Sequence, residues 1–144
     1  MHPAPVPLPH VAALWRELGI PADYLSARAL PLHEEARESS LVTVAHTDDG
    51  RPVRLVAPAA IAWQRLQSSA AAAGVTLLPL SGFRSLARQA ELIRAKLAAG
   101  RPIADILRLV AAPGCSEHHT GRAVDLGSPE NSALDEAFAR TSAF

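Results

Sequence analysis

Two short stretches hold most of the unusual polar chemistry of this chain: SGFRS at residues 81–85 and SEHHTGRAVD at residues 116–125. In the second, His118 and Asp125 stand seven positions apart with Gly121 between them. Glycine tolerates backbone conformations that other residues avoid, so a tight reversal there would let the imidazole and the carboxylate converge. A neutral imidazole and a carboxylate are suitable zinc ligands. Spacing alone leaves plainer readings open: a loop histidine with no metal, and an aspartate that caps or turns the chain after a strand.

The wider pattern Ser-x-His-x-x-Gly-x-Ala-x-Asp, here Ser116, His118, Gly121, Ala123 and Asp125, resembles the zinc signature of VanY-type D-alanyl-D-alanine carboxypeptidases. That group of metallopeptidases also includes lysostaphin and the hedgehog fold. The upstream SGFRSLARQ is similar to the family's Ser-Gly-Tyr/Phe-Arg-Ser-x-x-x-Gln motif, and AAPGCSEH to its approach to the metal-binding histidine. The resemblance covers about residues 55–144, with a weaker likeness in LPLHEEA.

The resemblance implies His118 and Asp125 as zinc ligands, with His119 as a supporting or solvent-facing residue instead. It implies that Arg84, Ser85, Gln89 and Ser116 serve the substrate. A carboxypeptidase must recognise a free C-terminal carboxylate, and a guanidinium can grip one with two parallel hydrogen bonds. Gly82 is expected to let the backbone turn so that Arg84 projects. Ser85 is expected chiefly to cap a helix, and Ser116 to order the loop. Gln89 is balanced between an aid to Arg84 and a surface amide. Phe83 and Cys115 are read as packing residues, and Glu117 as structural.

The implied activity is a zinc-dependent D,D-carboxypeptidase that releases D-alanine from peptidoglycan stem peptides or other D-Ala-D-Ala-ended peptides. The motifs leave an L,D-linked substrate open. In the resembling enzymes the third zinc ligand and the general base arrive together in a downstream Glu-x-Trp-His segment. This chain contains none, and Trp15 and Trp63 both lie in the wrong half. His33 and His46 are conceivable replacement ligands, but no spacing supports them, and loop and hairpin readings are preferred. The expectation is therefore a chain lacking its C-terminal part, or else an inactive, peptide-binding relic of the family. The unfinished helical pattern at 130–144 favours the fragment. Two ligands without a base would leave the polypeptide weakly active or inactive.

The elements that must position these residues follow from periodicity and punctuation. Residues 1–10 hold four prolines and read as a loose arm. HVAALWREL (10–18) is helical and stops at Gly19; a second short helix is expected over 23–29. LVTVAH and RPVRLVA form a hairpin around Thr47-Asp48-Asp49-Gly50. A helix over 57–74 is expected to present Ala59, Ala62, Trp63, Leu66 and Ala70 to the core. VTLLPL (75–80) reads as a strand, held to an edge or an early end by Pro79. Ser85 caps a helix running to Gly100 that turns Leu86, Ala90, Ile93 and Leu97 inward. A short helix in PIADILRLVA, a loop over 112–121 and a short buried strand in RAVDL follow. The expected fold class is α+β, a small antiparallel sheet flanked by helices. Residues 1–54 supply the arm, helices and hairpin, and 55–144 the incomplete peptidase-like core, together making one domain.

Composition narrows the alternatives. Apolar residues make up 49% of the 144 and charged residues 19%, in keeping with a folded protein. Fourteen basic and fourteen acidic residues cancel, which argues against nucleic acid as a partner. A single cysteine, Cys115, excludes an internal disulfide. No apolar run suits a transmembrane segment. The start lacks the charged and apolar regions of a signal peptide, so localisation stays open between the cytoplasm and export by a signal outside the chain.

Overall fold

The structure is a computed structural model that describes residues 6–28 and 30–127. In chain order its main elements are α1 (Pro9–Leu18), α2 (Tyr24–Arg28), β1 (Leu41–His46), β2 (Pro52–Val56), α3 (Ala57–Ala72), β3 (Leu78–Ser81), α4 (Leu86–Ala98), α5 (Ile103–Leu109) and β4 (Asp125–Gly127). Single 3-10 turns occupy Glu38–Ser40 and Glu117–Thr120. The chain folds into two compact units. The first runs to Glu35 and resumes from Arg84 to His119; the second takes residues 36–83 and 120–127.

The first unit is helical. Pro9 opens α1, where its missing N–H costs nothing, and Gly19 closes the helix in the left-handed conformation at φ 76°. Val11, Trp15 and Leu18 recur at helical spacing and are buried. They pack with Leu86, Ala90 and Ile93 of α4 and Ile106 and Leu107 of α5 into one apolar cluster. The inward face expected of α4 is the face observed, with Leu97 packed at the margin of the cluster. Trp15 also meets Tyr24 edge to face at 5.7 Å, and its indole N–H donates to the Pro113 carbonyl at 2.8 Å. A bidentate Arg94–Glu17 pair ties α4 to α1 at the surface, with bonds of 2.8 and 2.9 Å.

The second unit holds the strands. The hairpin pairs Leu41 with Val56 and His46 with Pro52, with an irregularity between Thr43 and Ala45. Its turn is closed by the Gly50 N–H to the Thr47 carbonyl at 2.9 Å, with Gly50 at φ 85°. β3 and β4 form a second antiparallel ribbon. Small antiparallel sheets with helices are thus the observed architecture, and among the described residues each sheet has two strands. Among the described residues β3 has β4 as its one neighbour, so Pro79 withholds no donor that a second neighbouring strand would need.

Several expectations shift. α3 buries Ala60 and Trp63 against Leu55 and Leu77, with Ala59 and Ala70 partly covered. Ala62 and Leu66 are exposed. Alanine recurs so often in this helix that it marks no particular face; Trp63 alone sets the rotation. β3 begins at Leu78, three residues later than the sequence pattern. β4 is three residues from Asp125, the first two half-buried and Gly127 buried, rather than a buried strand over 122–126. Among the described residues its partner is the four-residue β3, which limits the ladder. The loop over 112–121 contains the 3-10 turn Glu117–Thr120. The helix expected over 130–144 lies outside the described residues. No helix among the described residues is long and apolar enough to cross a membrane.

Candidate functional site

Arg84 sits in the link that follows β3, two residues ahead of α4. Ser85 has extended backbone geometry, and its hydroxyl accepts from the Arg88 N–H at 3.0 Å, the N-cap bond expected of it. A second acceptor joins it. A carboxylate oxygen of Glu35 takes the Leu86 N–H at 2.6 Å, so two of the helix's four orphan donors are satisfied and a negative charge faces the positive end of its dipole. Sequence reading missed Glu35. It lies 51 residues before its partner, and no local spacing announces such a cap.

The guanidinium of Arg84 is tied to α4. Its Nη1 donates to Gln89 Oε1 at 3.2 Å, while Gln89 Nε2 donates to the Ala111 carbonyl at 2.7 Å. Gln89 is 1% exposed, so the surface-amide reading falls away. One turn into α4, this amide is a buried relay between Arg84 and the loop before the second motif.

The backbone of Arg84 is held as well. Its N–H donates to the His118 carbonyl at 3.0 Å, and its carbonyl lies 2.8 Å from His119 Nδ1. The other ring nitrogen of His119 accepts from the Gly114 N–H at 3.0 Å. A backbone N–H can only donate and a carbonyl can only accept, so the proton sits on Nδ1. His119 is fully buried, which rules out a solvent-facing residue, and both nitrogens are committed, which rules out a ligand. Burial holds its pKa below the ordinary imidazole value, against the opposing pull of its bond to Arg84.

Ser116 is buried, and it organises the turn: its hydroxyl accepts from the His118 N–H at 3.2 Å and its carbonyl from the His119 N–H at 3.2 Å. His118 is half-buried and Glu117 exposed. Cys115 belongs to the apolar cluster of the first unit, and burial pushes its thiol up to about 11, so it is a packing residue and a poor source of thiolate. His33 lies in a loop, its N–H bonded to the Gly114 carbonyl at 2.7 Å, and His46 ends β1.

The remaining motif residues belong to the second unit. Asp125 opens β4 and pairs with Ser81 of β3. Gly82 is not a left-handed turn residue; a Cβ there would lie 2.5 Å from the Arg54 carbonyl oxygen. Its role is close approach, which lets the Phe83 N–H reach that carbonyl at 2.7 Å. Phe83 is half-buried, with the Arg54 guanidinium 5.3 Å from its ring centroid. It is a cation-π platform instead of a core residue. Gly121 does reverse the chain, at φ 71°, and a Cβ would press on Val56 Cγ1 at 2.9 Å.

Imidazole and carboxylate are the donor types that zinc takes, and His118 and Asp125 supply one of each. Among the described residues no three His, Cys, Asp or Glu side chains cluster to hold a metal ion.

Residues 53–144 match the family model for VanY, D-alanyl-D-alanine carboxypeptidase. Three similar solved structures give the same group. The LdcB LD-carboxypeptidase, described in terms of peptidoglycan recognition, is 30% identical at a TM-score of 0.64 over 75% of this chain and 52% of its own. A mutant of the vancomycin-resistance D,D-pentapeptidase VanY, solved with Zn(II), is 23% identical at 0.53 over 77% and 66%. VanYB in complex with D-alanine-D-alanine is 26% identical at 0.50 over 70% and 55%. The chain therefore spans about half to two thirds of the length of these structures. Among curated proteins none matches. This chain belongs to the VanY D-alanyl-D-alanine carboxypeptidase family.

Proposed function

We propose that this chain carries the substrate-gripping and part of the metal-binding machinery of a zinc-dependent D,D-carboxypeptidase acting on peptidoglycan peptides. His118 and Asp125 are the zinc ligands. Zinc, when bound, polarises the scissile carbonyl and lowers the pKa of its water to about 7. Arg84 receives the terminal carboxylate, with Gln89 holding its guanidinium, Ser85 setting the helix start beside it and Ser116 setting the loop that carries His118. The single observation that carries the reading is Arg84 itself. Half-buried in a family motif, it is fixed at its backbone by residues 118 and 119 and at its side chain by Gln89. A family that removes a C-terminal residue needs such a fork where the carboxylate arrives.

With two ligands in residues 1–144 and no Glu-x-Trp-His segment, the polypeptide is expected to bind a D-Ala-D-Ala-ended peptide but to release D-alanine slowly. Calorimetric titration with the free-acid peptide and its C-terminal amide, followed by a D-alanine release assay with zinc, tests both parts. Binding of the acid in preference to the amide, lost in Arg84→Ala, is the expected result. Equal binding of acid and amide would remove the carboxylate role. Rapid release with stoichiometric zinc would remove the claim of slow turnover.

A further inference from the structure

We infer that His119 is a positioning residue for Arg84, acting through the carbonyl of residue 84 and not through a metal. For the identity of the ligand this rests on the function proposed above. Residue 84 is pinned at both ends of its peptide geometry. Its N–H reaches the His118 carbonyl at 3.0 Å, and its carbonyl takes the Nδ1 proton of His119 at 2.8 Å. Two successive residues of the second motif thereby hold one residue of the first. His119 is held in turn: its ring Nε2 accepts from the Gly114 N–H at 3.0 Å, and its backbone N–H donates to the Ser116 carbonyl at 3.2 Å.

An imidazole buried this completely is costly unless both nitrogens find partners, and here each has one of the right kind. The ring has no bond left for a ligand, so its chemistry is spent on geometry. That geometry matters twice. It fixes the backbone from which the guanidinium projects toward Gln89, and it sets the distance along the chain fabric between Arg84 and His118, the proposed ligand. Positioning errors of about 1 Å can cost up to about a hundredfold in a bound or reacting complex.

Two substitutions separate positioning from plain support. His119→Phe keeps a ring and removes both bonds. His119→Asn places an amide nitrogen two bonds from Cβ, as Nδ1 is, and so restores the donor to Arg84 while leaving Gly114 without its acceptor. Both variants should melt at lower temperature than the wild type. Below those temperatures, His119→Phe should bind the free-acid peptide about tenfold to a hundredfold more weakly with unchanged affinity for the amide, and His119→Asn should recover most of the loss. Equal affinity of wild type and Phe variant overturns the inference, as does equal weakness of both variants. If the Phe variant does not fold, His119→Gln takes its place: its oxygen lies three bonds from Cβ, suited to Gly114, and it should bind as weakly as predicted for Phe.

The Nε–H resonance of Arg84 in the peptide-free protein gives a readout independent of the ligand. It should be dispersed and protected from exchange in wild type and Asn variant, and collapse toward free arginine in the Phe or Gln variant. An unmoved resonance overturns the inference. Should wild type show this behaviour yet bind no peptide, the proposed function fails while the positioning role stands.

Discussion

Arg84 illustrates how little a charge does until its surroundings aim it. A free arginine side chain samples many rotamers, and each one frozen costs entropy; here Gln89 and the backbone contacts absorb that cost in advance. Ser85 supports the arrangement by starting α4 at a defined place. Ser85→Ala should therefore lose about 1 kcal/mol of unfolding free energy by urea titration, the usual worth of an N-cap. Its peptide affinity should change less than that of Arg84→Ala; an equal loss would make Ser85 a substrate contact instead. Gly82 acts by absence. In Gly82→Ala the new methyl would stand 2.5 Å from the Arg54 carbonyl and 3.1 Å from Val53 Cγ1. Overpacking of this kind costs about 1–3 kcal/mol, and the Phe83–Arg54 bond would open with it. A urea midpoint indistinguishable from wild type would show that the ribbon yields more easily than the geometry implies.

At the scale of elements, α1, α4 and α5 share one apolar cluster, and the loop that leads to His118 is bound into it by Cys115 and by the Trp15–Pro113 hydrogen bond. Cys115 reports on that burial. With its thiol pushed up to about 11, the thiolate fraction at pH 8 is about a hundredfold below that of an unshifted thiol near pKa 9. Iodoacetamide at pH 8 should then label the native protein at least about a hundredfold more slowly than the urea-unfolded chain, and comparable rates would mean the loop opens freely. The same elements show what the sequence discloses. α4 was legible because its cap, its Leu86-Ala90-Ile93 stripe and its stop are all local signals. The face of α3 was not, because alanine fits both a core and a surface. Nor was β4, whose length is set by a partner strand far away in the chain. His119 stood in plain view inside the motif, but its two hydrogen bonds join residues 35 and 5 positions away, and no periodicity encodes that.

For the molecule as a whole, both motifs change compact unit partway along, after Phe83 and after His119. Gly82 and Gly121 flank the two places, but each reads equally well as part of its motif's local turn, so the division could not be read from the sequence. Within its own unit, each half of the first motif is matched to a half of the second: Ser81 pairs with Asp125, and Arg84 with His118. The proposed ligands are thus each fixed by a backbone bond or strand register to the SGFRS segment, which is the sort of support a metal ligand requires. A zinc titration tests whether that support serves a metal. Wild-type protein should bind zinc measurably but weakly, since structural sites of high affinity use four protein ligands and catalytic ones three. His118→Ala and Asp125→Ala should each remove most of that affinity. The double variant should lose little beyond either single one, because two groups acting on one ion are not additive. His119→Phe should retain zinc, since neither ring nitrogen is available to the ion. If Asp125→Ala binds zinc as the wild type does, the carboxylate belongs to the strand alone and the assignment of the metal pair fails.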